Sequence, residues 1–161
     1  YRFGIIPDTS SRYQIIDRKD IPELIQVIKN ARKYVYVVGG ELHHTIWNDG
    51  SVINSLREAK EKRGVNIKMI YGPVIDHEDK KLIKLLDDGI VSLYKLDERE
   101  NQHHFRINDK LDILYHSGED RSRDRIVWFK NHFSGELFIN IFEKKLHEAH
   151  KKDKLDLNNP R

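Results

Sequence analysis

Gln102-His103-His104-Phe105-Arg106-Ile107-Asn108-Asp109, followed across Lys110 by Leu111-Asp112-Ile113-Leu114-Tyr115 and then His116-Ser117-Gly118-Glu119, is the stretch on which the fold of this chain turns. Two short runs rich in β-branched and aromatic residues, 105–108 and 111–115, flank the Asp-Lys pair, and this is the pattern of a hairpin. Side chains alternate with period two along a strand, so His104 and Arg106 share one face while His103 points to the other. The hairpin's polar side chains, Gln102, His104 and Ser117, are candidates for a site.

Working outward, helices and strands alternate. Asp20-Ile21-Pro22-Glu23 is a helix start, with Asp20 as N-cap, proline in the first turn and Glu23 reaching back. Leu24, Ile25, Val27, Ile28 and Ala31 then recur at helical spacing. The run Tyr34-Val35-Tyr36-Val37-Val38 predicts a buried strand stopped by Gly39-Gly40. A second helix is predicted over 51–62, ended by Gly64, with a strand over 65–71 stopped by Gly72-Pro73. A third helix over 78–87 ends at Gly89 and leads into a strand over 90–96. After the hairpin come a strand over 125–129 and a last helix from Ser134, with Phe138, Ile141, Phe142 and Leu146 facing inward. Early crossovers are long enough for parallel pairing and the late strands cluster. The expected fold is α/β, a mixed β-sheet flanked by helices on both faces. Residues 1–161 read as one domain, with 1–10 and 153–161 as loose ends.

Composition frames what such a domain does. A chain of 161 residues with 38% hydrophobic and 34% charged residues can bury a core beneath a heavily charged surface. Without cysteine it has neither a disulfide framework nor a thiolate site, which fits a reducing cytoplasm. No apolar run reaches the roughly 18 residues of a membrane span, and no signal-peptide pattern opens the sequence. The first residue is Tyr1 rather than Met, so a module ahead of it is part of the expectation. Net charge is +3, with basic groups at Lys60, Lys62, Arg63 and Lys68, at Arg121, Arg123 and Arg125, and in a tail over 144–154. Acidic residues gather over 76–79 and 97–100.

The hairpin resembles the active-site signature of the phospholipase D superfamily: H-x-K, four residues, D, six residues, G-S-x-N. Anchored on Asp109 and Ser117, the chain offers Q-x-H-x4-D-x6-H-S-x-E. The likeness extends outward. Leu56-Arg57-Glu58-Ala59-Lys60-Glu61-Lys62-Arg63-Gly64-Val65-Asn66-Ile67-Lys68 and Leu85-Leu86-Asp87-Asp88-Gly89-Ile90-Val91 are similar to that family's helix-to-strand junctions. The resemblance implies a phospholipase D-like half, two of which meet across a pseudo-dyad in active members. There one His attacks phosphorus, a second acts as general acid, and Lys and Asn hold the phosphate oxygens. Here Gln102 occupies the nucleophile position, His104 the Lys position and Glu119 the Asn position, and only Asp109 and Ser117 match. An amide cannot form the phosphoenzyme, and a carboxylate at 119 repels phosphate. A shifted register, with His104 and Arg106 as H-x-R beside Asp109 and Ser117, keeps a phosphate grip. It lacks Asp at 111 and Ser at 119.

Further candidates surround the hairpin. Glu41, His43 and His44 follow the first predicted strand, where α/β proteins place ligands, and with Trp47, Tyr71, His104 and His116 they could line one crevice. A polar loop with incidental histidines is the simpler reading. His147 and His150 sit at i and i+3 without an evident third ligand, so no metal and no cofactor are expected. Gly39-Gly40 lacks the rest of a dinucleotide fingerprint. Trp128, Phe129, Phe138 and Phe142 read as core.

The sequence thus points to a degenerate, non-catalytic phospholipase D-like domain that senses a small polar ligand or contacts a partner protein within a larger regulatory protein. Its expected ligand residues are Glu41, His43, His44, Gln102, His104, Ser117 and Glu119. A second reading is a phosphodiesterase or nuclease assembled across a homodimer. A third is a nucleic-acid-binding module using Arg121, Arg123, Arg125, Lys60, Lys62 and Arg63.

Overall fold

The computed structural model describes residues 12–16, 21–39, 44–72, 80–96, 103–117 and 126–158, and the side chains of 21–39, 46–72, 80–96, 104–115 and 130–151. Seven strands form one mixed sheet: β1 (Arg12–Ile16), β2 (Tyr34–Val38), β3 (Asn66–Tyr71), β4 (Ser92–Lys95), β5 (His103–Asn108), β6 (Asp112–Ser117) and β7 (Ile126–Lys130). Their order across the sheet is β1-β7-β6-β5-β2-β3-β4. β2, β3 and β4 run parallel, while β5, β6, β7 and β1 pair antiparallel onto them. The described residues also form five helices: α1 (Ile21–Asn30), α2 (His44–Trp47), α3 (Gly50–Arg63), α4 (Lys80–Asp87) and α5 (His132–Asn158).

Strand alternation divides the core in two. Val35, Val37, Ile67 and Met69 face α1 and α3, meeting Leu24, Val27, Ile28, Val52, Leu56 and Ala59, all buried. Val38, Ile70, Phe105, Ile107 and Ile113 face the other way and pack with Phe142 and Ala149 of α5. On that face Tyr34, Tyr36 and Phe142 stack in a column, with successive centroids 4.3 Å apart. Burial, with Tyr36, Asp109 and Glu143 nearby, pushes the Tyr34 phenol up to about 12.

The helix stops follow the expected chemistry. Asp49 caps α3 by accepting the N–H groups of Ser51 and Val52. Gly64 (φ 66°) and Gly89 (φ 71°) take the left-handed conformation that ends α3 and α4. The α1–β2 turn is held from two sides. Arg63 of α3 donates to the carbonyls of Ile28 and Ala31, and Arg32 to those of Lys29 and Ala31.

All six expected strands lie in the one sheet, with ends moved by a residue or two. Two elements went unread. β1 is a short edge strand whose partner, β7, lies more than a hundred residues away, with Arg12 opposite Lys130. α2 is a four-residue helix, too short to show a period, in the stretch read as a polar loop. The last helix also runs on to Asn158, through part of the expected loose end 153–161. No glycine or proline interrupts the sequence between Gly135 and Pro160.

Candidate functional site

Strand direction sets two ends of the molecule. The carboxyl ends of β2, β3 and β4 lie at the same end as the start of β5 and the finish of β6. There the pairing places His104 opposite His116 and His103 opposite Ser117. β2 finishes beside the start of β5, with Val38 opposite Phe105, so the connection carrying Glu41 and His43 leaves the sheet next to His104. Glu41, His43, Gln102 and Glu119 themselves lie outside the described residues, as do Arg121, Arg123 and Arg125. Only the backbone of His44, His116 and Ser117 is described.

His104 is half-buried on the face covered by α1 and α3. One pleat deeper on the same face, Arg106 is 9% exposed, and its guanidinium carbon stands 5.9 Å from the ring centroid of Trp47. Trp47 is itself buried, carried there by α2. A guanidinium over an indole face gains electrostatic attraction while its apolar stem stays packed. The sequence signal for Arg106 was the H-x-R spacing. Its indole partner, Trp47, is read from the sequence as lining the crevice with His104, and the contact with Arg106 is not legible there.

Asp109 is not at this end. It occupies the β5–β6 turn, at the opposite end of the strands, where its Oδ1 accepts the backbone N–H groups of Arg32 (2.8 Å), Lys33 (2.8 Å) and Tyr34 (3.3 Å). Partial burial raises its carboxyl pKa, but the N–H groups of Lys33, Arg32 and Tyr34 outweigh that and hold it below the usual carboxylate range. Six residues of β5 rise roughly 20 Å, so Asp109 and the His104 end are separated by most of the sheet's height. Grouping Asp109 with His104, Arg106 and Ser117 as one catalytic set is therefore corrected: extended strands cannot bring both ends of a hairpin into one site.

Beside Asp109 a second polar cluster is sealed in. Asn108 and Asp112 are 0% and 2% exposed. Asn108 donates to the Val27 carbonyl and to Asp112, and Asn30 also donates to Asp112. Asn108 Oδ1 in turn accepts the N–H groups of Lys110 and Asp112. The Val27 and Asn30 contacts bind α1 to the hairpin and the other three brace the hairpin turn itself, which is a structural task.

The basic cluster read at 60–68 also divides. Lys60, Lys62 and Arg63 belong to α3, whereas Lys68 alternates with Ile67 and Met69 and so lies on the α5 side of the sheet. Arg63 is committed to the carbonyls closing α1, and Lys62 pairs with Glu58 at 3.6 Å. His150 packs edge-on against Tyr94, with centroids 5.1 Å apart, and among the described residues no group of three or more His, Cys, Asp or Glu is placed to hold a metal. No helix among them is long and apolar enough to cross a membrane.

No family model and no curated protein matches the sequence. Solved structures do match in shape. One is TrmBL2, an archaeal chromatin protein with a novel mode of DNA binding, with a TM-score of 0.66 and 18% identity over 90% of this chain. Another is a polyphosphate kinase from Porphyromonas gingivalis, with a TM-score of 0.50 and 17% identity over 84% of this chain. The chain spans 55% of the first and 22% of the second, so each is considerably longer. At these identities the likeness is one of fold. The architecture is α/β, a mixed sheet with helices on both faces, consistent with a phospholipase D-like half.

Proposed function

We propose that the chain is a degenerate, non-catalytic member of the phospholipase D superfamily, acting in ligand sensing or protein contact within a larger regulatory protein. The carrying observation is the use made of Asp109. This residue, which matches the signature, binds three backbone amides at the far tip of the hairpin and holds the fold there. The chemistry-bearing positions are those that differ: Gln102 in place of the nucleophile, His104 in place of Lys and Glu119 in place of Asn. Of the two positions that match, Asp109 and Ser117, the first serves the hairpin.

Arg106 supports the same reading. Nearly buried on Trp47, it lies a pleat below His104 rather than beside it at the strand end. His104, half-buried at the strand end, suits a pocket for a polar, weakly charged molecule. The length of TrmBL2, about half of which this chain spans, supports a place in a larger protein.

The test is hydrolysis of bis(4-nitrophenyl) phosphate, single-stranded DNA and a phosphodiester lipid by the wild-type protein and by His104→Ala. The expected result is the same background rate for both. Turnover by the wild type that disappears in His104→Ala overturns the reading and favours a phosphodiesterase built on His104 and Arg106, across a homodimer or within one chain.

A further inference from the structure

The end of the molecule remote from His104 has an uneven charge. The α1–β2 turn, the last turns of α3 and the hairpin tip converge there. Their adjacency is fixed by Arg63 on the Ile28 and Ala31 carbonyls, by the Asn66 N–H on the Lys33 carbonyl, and by Asp109 on the amides of 32–34. Within 29–34, 58–66 and 108–112 the sequence places seven basic and four acidic residues. The acids are all engaged. Asp112 is buried, Asp109 holds three amides, Glu58 pairs with Lys62 and Glu61 with Arg57. Lys29, Arg32, Lys33 and Lys110 are exposed, and no ion pair joins any of them to a described carboxylate.

Basic residues near helix carboxyl ends often do no more than complement the helix dipole. That accounts for Lys29, Lys60, Lys62 and Arg63, in the last turns of α1 and α3. It does not account for Lys33 or Lys110, which lie beyond either helix. The carbonyls freed at the end of α1 are already satisfied by the guanidinium groups of Arg63 and Arg32. Toward the β4 edge the same end carries Asp87 and Asp88, and Asp88 is held by Arg57 and Lys84. The cationic surface is therefore centred on the α1–β2 turn and the hairpin tip.

By sequence, the connections joining elements at the His104 end (17–20, 40–43, 73–79, 97–102 and 118–125) contain twelve acidic and six basic residues. We propose that the pole carrying Lys29, Arg32, Lys33 and Lys110 binds the phosphodiester backbone of nucleic acid without reading its bases. The pole displays point charges on flexible stems with no groove-entering element, which suits backbone contact and carries no base readout. This goes beyond the ligand crevice and does not depend on it.

The experiment is fluorescence anisotropy with a labelled random-sequence DNA duplex, titrated at several salt concentrations. Three proteins are compared: wild type; Lys29→Glu with Lys33→Glu and Lys110→Glu; and a control of equal net charge, Lys80→Glu with Lys144→Glu and Lys151→Glu, all at exposed positions. Three phosphate contacts give a log–log salt slope of about −2.7, so wild-type affinity should fall about 40-fold between about 50 and about 200 mM salt. The pole variant should bind at least tenfold more weakly than the control at the lower salt, while still unfolding in one cooperative transition above the assay temperature. Equal loss in both variants makes the binding a net-charge effect and overturns the proposal. So does absence of wild-type binding at low salt, or tighter binding to phosphatidylserine vesicles than to the duplex.

Discussion

At the scale of single residues, Asp109 ties a sequence motif to a physical task. One carboxylate oxygen takes the amides that open β2, groups that would otherwise need water at a chain reversal. Asp109→Ala removes the acceptor for all three and should lower stability by roughly 1–3 kcal/mol. Thermal or denaturant unfolding measures this. The sign of the pH effect follows from the depressed pKa. A carboxyl held below its unfolded value adds stability that is fully present above the unfolded value, about 3.9, and is lost as pH falls through the folded value. Asp109→Asn should therefore flatten the acid limb of the unfolding-midpoint profile below about pH 4. An unchanged limb would assign acid sensitivity to other carboxylates. The spacing in the sequence marked Asp109 as special but assigned it to the site. That task depends on the neighbouring turn at 32–34, more than seventy residues away, which no local pattern reveals.

Among the elements, the β5–β6 turn sets backbone against packing. Leu111 adopts φ 62°, a left-handed conformation uncommon for a branched side chain, and the Leu111 N–H closes the turn on the Asn108 carbonyl. Its side chain lies against Gly135 of α5, where an added Cβ would stand 2.6 Å from Leu111 Cδ2 and 3.0 Å from Leu111 Cβ. Gly135→Ala should thus destabilise the protein even though alanine is the better helix former by about 1 kcal/mol. In a Leu111→Gly background the same change should become neutral or stabilising. A double-mutant cycle of unfolding free energies tests this, and additive effects would show that the two residues do not constrain each other. Phe142→Ala, deep in the α5 contact, should cost about 3–5 kcal/mol by the same measurement. The sequence made α1, α3, α4 and the inward residues of α5 readable because their apolar positions recur at helical spacing. It left α2 and β1 unread because a single helical turn has no period and an edge strand is defined by a distant partner.

For the molecule as a whole, alternating helix and strand early and clustered strands late predicted the mixed sheet with helices on both faces, and that is the architecture observed. The same order predicts which ends of the strands share a side, and so placed His104 beside the connection that follows β2. It could not show that Arg106 would be sealed over Trp47, because that contact depends on α2. The central claim is that this fold retains its hairpin without the covalent chemistry of the family it resembles. Intact-protein mass spectrometry after prolonged incubation with bis(4-nitrophenyl) phosphate near neutral pH, quenched and handled at alkaline pH because a phosphohistidine is lost in acid, tests it most directly. The account predicts an unmodified chain. A phosphoryl adduct that maps to His104, and that vanishes in His104→Ala, would contradict it.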